Sequence, residues 1–404
     1  MNEINLFNIA CMSSYNSISL PKEFTTEWFV SGNSIERTIT LPLYNLGTFN
    51  CIVDWGDNTQ SRITSYDDLN RIHTYQSDGT YIVKISGDCP SWSFNKTGDK
   101  TKITKIISWG DGVVFTGFKY LENGFNECFN LSSIPNQSIP KIDTTLVSLS
   151  GLFRYTNIKS IPEIIFNNLT EVTTFLSTFS NCRLLTQIPM NLFKYNINVS
   201  QNAFNSTFAN CSSLVSIPTD LFKYNTQVSS SGFQATFSGC SSLSSIPVDL
   251  FRYNINARSF RETFKGCSLL SSIPVDLFRY NVLTTTFQDC FRDCINLENI
   301  SINLFKYNTA VTSFYGTFFG CNKLQLNSNI FYSDGEQSSR FLNKSVNFTN
   351  CFTRYSFTGT QGIAPDLWTC NFGTGTLTST GCFSGTGNDA ISISNYNNIP
   401  SNWK

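Results

Sequence analysis

One phrase, written again and again at a fixed phase, constrains this chain more than any other property. The run Phe204-Asn205-Ser206-Thr207-Phe208-Ala209-Asn210-Cys211-Ser212-Ser213-Leu214-Val215-Ser216-Ile217-Pro218 has near copies that begin at Phe233, Phe260, Phe287 and Phe314. More divergent versions begin at Phe175 and around Leu149 and Phe153. The aligned cysteines Cys182, Cys211, Cys240, Cys267, Cys294 and Cys321 are separated by 29, 29, 27, 27 and 27 residues, and the Ile-Pro pairs from Ile134-Pro135 to Ile273-Pro274 keep the same phase. Self-similarity at this period marks a solenoid, in which one unit is too small to bury its own apolar face and stacking supplies the missing walls.

Within one unit the residue types assign an inside and an outside. Phe204 and Phe208 are four apart and are expected to share one face of a helix. Cys211 and Leu214 continue the buried seam into a turn and a short strand, and Ile217 is the last inward anchor. Pro218, which lacks an amide hydrogen, then favours leaving the strand. The same positions recur as Phe233, Phe237, Cys240, Leu243 and Ile246, and as Phe260, Phe264, Cys267, Leu270 and Ile273. Most of the 14 cysteines fall at one phase, so they read as small buried hydrophobes in a reduced ladder, with extensive disulfides as the alternative. Cys51 and Cys89 stand outside the ladder and form a separate disulfide candidate.

Roughly ten complete or degraded units, at strand-like spacing, give a stack of roughly 45–50 Å. Ser213, Ser216, Ser242, Ser245 and Ser272 are expected on its strand face as a broad surface of small donors and acceptors. A second phrase recurs on the opposite side: Lys194-Tyr195-Asn196, Lys223-Tyr224-Asn225, Arg252-Tyr253-Asn254, Arg279-Tyr280-Asn281 and Lys306-Tyr307-Asn308. Each tyrosine reads as packing between turns and each asparagine as satisfying an adjoining loop, with a ligand-binding stripe as the alternative. After Cys321 the phrase loosens, and Gly373, Gly375, Gly381, Gly385 and Gly387 mark turns. These insertions are candidates for partner-specific loops or a plain end cap.

The run Phe237-Ser238-Gly239-Cys240-Ser241-Ser242-Leu243 resembles the recurring phrase of the bacterial BspA-like leucine-rich-repeat family, and Phe264-Lys265-Gly266-Cys267-Ser268-Leu269-Leu270 departs from it mainly at Leu269. The likeness covers about residues 104 to 403. It implies surface or adhesion roles in bacteria and their phages, and it carries no active-site residue to transfer.

Ahead of the repeats, β-branched segments at Ile35 to Leu43, Thr48 to Val53 and Thr80 to Ile85 alternate with turn residues and predict a strand-rich module. Its most informative stretch is Asp54-Trp55-Gly56-Asp57-Asn58, followed by His73-Thr74-Tyr75 and Gly79-Thr80-Tyr81. This order resembles the polycystic-kidney-disease-type immunoglobulin-like domain over roughly residues 28 to 90, with Asn58 in place of the last turn glycine. The resemblance implies a β-sandwich spacer or attachment domain. Asp54 and Asp57 read as turn acceptors; too few oxygen donors converge there to define a calcium site. His73, the only histidine, reads as a structural hydrogen-bonding residue. Trp109-Gly110-Asp111-Gly112, with Ile103, Ile106, Ile107, Val114 and Phe115, reads as a cap on the first repeat.

The expected fold is therefore mixed, an N-terminal β-sandwich followed by an α/β leucine-rich-repeat solenoid. Its divisions are an arm or attachment segment (1–27), the sandwich (28–100), the solenoid cap and first partial repeat (101–127), the regular repeats (128–343), and divergent repeats with a C-terminal cap (344–404). Lys plus Arg and Asp plus Glu both number 28, so no basic field exists for a phosphate backbone and nucleic acid is not an expected partner. Residues 1 to 20 lack a secretory pattern, and no stretch is apolar for long enough to insert in a membrane as a helix. No nucleophile and base, phosphate loop or carboxylate constellation points to an enzyme, a metal or a cofactor. The expected function is a noncatalytic virion-associated structural accessory or adhesin, on the virion surface or extracellular after lysis. Its expected partners are other virion or surface proteins and host-surface carbohydrate or protein, and a homo-oligomer is open. A bacterial cell-surface adhesin and an intracellular, cytoplasmic protein-interaction scaffold are the alternatives.

Overall fold

The computed structural model describes residues 20–95, 98–140, 143–332, 339–356, 362–385 and 393–404. Most of the segment read as an arm, and Gly387 among the loop glycines, lie outside the described residues. Seven strands build the N-terminal part: β1 (Phe24–Val30), β2 (Thr38–Thr40), β3 (Asn50–Asp54), β4 (Gln60–Ile63), β5 (Ile72–Thr74), β6 (Gly79–Asp88) and β7 (Ile103–Trp109). Five of them form one antiparallel sheet in the order β4-β3-β6-β1-β7, and β2 pairs with β5. β1 begins at Phe24, inside the range read as arm. It occupies an interior position because Phe24, Trp28 and Val30 are buried and because both its edges are paired.

β7 joins this module to the repeats. It closes the sheet against β1 and is also the wall on which the first coil lies: Ile106 N–H donates to Ser133 O at 3.0 Å and Ser132 N–H donates to Thr104 O at 3.0 Å. Trp109, read as a cap, stacks on Phe24 from the sheet (6.0 Å) and meets Phe125 and Phe153 from the coils edge-on (5.9 and 6.2 Å). The apolar interior runs without a break from Phe24 to Trp403.

The repeats are not an α/β solenoid. Among the described residues no α-helix is present, and this corrects the reading of Phe204 and Phe208 as one helical face. Backbone geometry gives the reason. Ser206 and Asn210, each two residues after a phenylalanine, have φ of 54° and 59°, which no residue of a right-handed helix can adopt. The equivalent pairs are Ala235 and Gly239, Glu262 and Gly266, Asp289 and Asp293, and Gly316 and Gly320. Each left-handed residue stands third in a four-residue turn closed by an i+3 amide, as in Thr207 N–H to Phe204 O (3.2 Å) and Cys211 N–H to Phe208 O (3.2 Å), the place a type II turn reserves for positive φ. A chain of such turns repeats every four residues, so Phe204 and Phe208 still point the same way.

Alternate amides are left over by this geometry, and they weld coil to coil. Phe204, Ser206, Phe208 and Asn210 donate to Gly232, Gln234, Thr236 and Ser238 of the next coil at 2.8, 2.9, 2.9 and 2.6 Å. An α-helix would have kept all four bonds within itself. The difference between 29- and 27-residue coils falls between the asparagine of the Tyr-Asn phrase and the first phenylalanine: Asn225 and Phe233 are eight apart, Asn254 and Phe260 six apart. That stretch loops outside the turn ladder and absorbs length without disturbing it.

Three phenylalanine columns fill the stack. One passes through Phe179, Phe208, Phe237, Phe264, Phe291 and Phe318 with centroids 5.6–5.8 Å apart and planes within 8°. A second passes through Phe204, Phe233, Phe260 and Phe287. A third passes through Phe193, Phe222, Phe251, Phe278 and Phe305 on the return path, interleaved with the second at centroid separations near 4.6–5.0 Å. Rings inclined to the stacking axis and offset from one another are the favoured arrangement for aromatic pairs. Trp403, packed on Phe383 (6.2 Å) and Trp368 (6.4 Å), closes the C-terminal end.

Candidate binding surfaces

All fifteen positions assigned to the repeat core, from Phe204 to Ile273, are buried. The cysteines at this phase, Cys294 of the next coil included, do more than fill space. Each donates its S–H to the phenylalanine carbonyl of the preceding coil: Cys211 to Phe179 O (3.2 Å), Cys240 to Phe208 O (3.2 Å), Cys267 to Phe237 O (3.3 Å) and Cys294 to Phe264 O (3.2 Å). Four residues earlier a threonine hydroxyl makes the corresponding bond, as in Thr236 Oγ1 to Phe204 O (2.9 Å). Burial pushes the Cys240 thiol up to about 12, so it stays protonated at neutral pH and is neither a nucleophile nor a thiolate ligand. Cys51 and Cys89 are in contact as buried free thiols.

The asparagines of the Tyr-Asn phrase form a second buried ladder. Asn254 Nδ2 donates to Phe222 O (3.2 Å) and Asn225 O (2.9 Å), and Asn281 and Asn308 repeat the pair one and two coils on. The carboxamide thus satisfies backbone of the coil before it.

What remains outside falls into two long faces. On the first, the residue before each Ile-Pro or its equivalent is exposed and uncharged: Ser160, Gln187, Ser216, Ser245, Ser272 and Asn299. Ser272 bridges in parallel to Asn299, which bridges to Gln325. Ser216, Ser245 and Ser272 thus lie on this face, whereas Ser213 and Ser242 are half-buried in the turn after the cysteine.

On the second face the cations and tyrosines form a staircase. Arg252 lies 5.7 Å from the ring centroid of its own Tyr253 and 5.5 Å from that of Tyr280; Arg279 repeats this with Tyr280 and Tyr307, and Lys223 with Tyr224 and Tyr253. Asp220, Asp249 and Asp276 pair with Lys223, Arg252 and Arg279 at 3.3–3.6 Å. The rings are therefore engaged by cations, and the tyrosines remain partly exposed. Ile197, Ile255 and Val282, two residues after a tyrosine, and Val248, Val275 and Ile302, on the exit turn, are each about half exposed. The result is a ridge of mixed aromatic, aliphatic and self-neutralised charge, in which the tyrosines both pack between coils and remain partly exposed.

In the N-terminal strand module, the turn at Asp54 is held by its own side chains. Gly56, at φ 81°, donates its N–H to Asp54 Oδ1 (3.0 Å), and a Cβ there would lie 2.6 Å from Ile82 O. Asp57 accepts from Thr59 N–H (3.1 Å) through one oxygen and contacts His73 Nε2 (2.7 Å) through the other, while His73 stacks on buried Trp55 at 4.8 Å. Burial works against the Asp57 charge, but the bonds from Thr59 and His73 outweigh it and hold the carboxyl below its usual range. Asp54, Trp55, Gly56 and Asp57 are thus brought together as a structural turn. Among the described residues no group of three or more His, Cys, Asp or Glu side chains is placed to hold a metal ion, and no helix is long and apolar enough to cross a membrane.

No protein-family model matches this sequence, and no curated protein matches it. Among solved structures the chain is similar to the crystal structure of a leucine-rich repeat protein from Bacteroides ovatus, at 18% identity over 85% of this chain and 93% of that one, with a TM-score of 0.28. A likeness that distant says nothing about function, and the stacked-coil architecture rests on the ladders described above.

Proposed function

We propose that this chain is a noncatalytic binding and display protein, a virion-associated structural accessory or adhesin whose sandwich serves as spacer or attachment and whose repeats face a protein or carbohydrate partner. One observation carries the reading: exposed chemistry recurs coil after coil along two long faces, over a core committed entirely to stacking. Such a surface suits an extended partner that makes many small contacts, because periodic presentation converts weak contacts into avidity. On the tyrosine face Asp220, Asp249 and Asp276 are each paired with the cation three residues on, which leaves that face to recognition. The uncharged Ser/Asn/Gln face supplies hydrogen bonds without desolvating charge, and the tyrosine ridge supplies amphipathic area at low entropic cost.

A density map of the native particle tests the proposal. It should show the chain attached through its N-terminal part with a repeat face turned outward. Absence of the chain from both mature particles and exposed cell surfaces would overturn it. Recovery from intact-cell cytoplasm with a specific protein partner would replace it with the scaffold reading.

A further inference from the structure

On the tyrosine face the aliphatic side chains fall into bands. Val248, Val275 and Ile302 on the exit turn, and Ile197, Ile255 and Val282 beyond the tyrosines, are each about half exposed. Apolar surface that recurs in this way, rimmed by polar groups, marks a contact surface. We infer that the occupant is a second copy of this chain, tyrosine ridge against tyrosine ridge, with the two stacks parallel. This pairing leaves the uncharged Ser/Asn/Gln face free for the partner of the display function, on which it does not depend.

Pitch identifies the partner. Within a rung the order along the chain is aliphatic, acid, cation, tyrosine, aliphatic, as in Val275, Asp276, Arg279, Tyr280 and Val282. Stacking turns each of these places into a row, because Arg252 reaches the ring of Tyr280 one coil on (5.5 Å) and Arg279 that of Tyr307 (5.2 Å). Rows that advance by one strand spacing per coil, about 4.8 Å, stay in register only with groups that advance at the same pitch. A second copy of the stack has that pitch by construction.

Charge sets the orientation. Three consecutive rungs carry one acid and one cation each, Asp220 with Lys223, Asp249 with Arg252 and Asp276 with Arg279, paired at 3.3–3.6 Å. The face is therefore neutral as a whole but striped, with an acid row beside a cation row. A copy brought onto it by a two-fold axis parallel to the stack keeps every rung at its own height and exchanges the two sides. Acid row then meets cation row at each rung, and the band of Val248 and Val275 meets the band of Ile255 and Val282. A two-fold axis running across the stack would instead set acid on acid and cation on cation, which opposes association. The ion pairs inside each rung already hold the long side chains, so less freedom is lost on docking. Five coils span only about 20 Å, so the dimer is expected to be weak and concentration-dependent.

Sedimentation velocity of the full chain from about 1 μM to about 1 mM tests this. The expected result is a monomer that passes to a dimer within that range. Val248→Asp/Val275→Asp, which puts like charges into the apolar bands, should weaken the dimer at least about tenfold. Asp220→Lys/Asp249→Lys and Lys223→Glu/Arg252→Glu should each lose the dimer when alone and recover it when mixed in equal amounts. None of the substituted residues is buried and surface ion pairs contribute little to folding, so near-ultraviolet circular dichroism should show each variant folded. A monomer at every concentration would overturn the proposal and leave the ridge to a different protein, with the display function untouched. A dimer unchanged in the folded valine variant would put the interface on another face and equally overturn it. Reversal of one charged row without effect, or no recovery in the mixture, would contradict the facing of acid row on cation row.

Discussion

The carbonyl of Phe208 shows how much a single repeat position has to do. It closes its own turn by accepting from Cys211 N–H and ties two coils together by accepting from Cys240 S–H, both at 3.2 Å. A cysteine at this phase is a weak donor as well as a filler. Its burial could be read from recurrence alone, because a residue type that returns once per coil among phenylalanines and leucines has to face the core. The bond could not, because it depends on a carbonyl in the preceding coil. The bond alters what a substitution should do. A serine at position 240 would bury a hydroxyl, but one aimed where Thr236 already shows that a hydroxyl finds a carbonyl. Cys240→Ser should therefore cost about 1 kcal/mol in urea unfolding, below the roughly 1–3 kcal/mol of an unsatisfied buried polar group. A loss well beyond that range would mean the bond is not formed. Phe237 has no such substitute. It is fully buried between Phe208 and Phe264, and Phe237→Ala should cost about 3–5 kcal/mol in the same experiment.

At the scale of the element, a four-residue spacing of large apolar side chains fits either a helix or a run of turns, and the phenylalanines alone cannot decide. The deciding signal lay between them. Asn210, Gly239, Gly266, Asp293 and Gly320 occupy one left-handed position in successive coils, and all are residues that tolerate it. The partner position, Ser206, Ala235, Glu262, Asp289 and Gly316, is less uniform, which hid the pattern. Ala235, at φ 51°, follows from this as a strained residue. Ala235→Gly should stabilise the chain, because relief of a left-handed penalty of about 1–2 kcal/mol exceeds glycine's added chain entropy of about 0.5–1 kcal/mol. Gly239→Ala should do the opposite, since φ there is 73° and a Cβ would lie 2.2 Å from Asn210 Oδ1; thermal unfolding of the two variants reads both signs. The turn at Asp54 was more legible, because Asp, Gly and Asn in sequence name a turn whatever surrounds it, yet the contact from Asp57 to His73 crosses 16 residues. The Asp57 carboxyl is depressed in the folded chain. Its stabilisation is present above the unfolded value near 4 and disappears as pH falls through the lower folded value. Urea stability followed downward from pH 7 should therefore fall less steeply below pH 4 in Asp57→Asn than in the unsubstituted protein.

Over the whole molecule, the N-terminal sheet and the repeats share one interior, joined at β7 and Trp109. The repeat phase and the inward positions were readable because stacking demands the same residue at the same place in every coil. The junction was readable on one side only: Trp109-Gly110-Asp111-Gly112 reads as a cap on the first repeat, but the pairing of β7 with β1 and the contact with Phe24 depend on neighbours distant in sequence. Of the candidate surfaces, the exposed row was legible from position at Ser216, Ser245 and Ser272 but not at Ser213 and Ser242, which are half-buried in the turn after the cysteine. The self-neutralised tyrosine ridge was not, because it depends on contacts between coils. Everything proposed for these faces presupposes coils built from linked turns, with half of the amides in each Phe-to-Cys run spent on the neighbouring coil. Far-ultraviolet circular dichroism of the purified chain tests that premise most directly. The structure predicts a spectrum of strand and turn without the double minimum of α-helix, whereas a helical spectrum with one helix per repeat would contradict it.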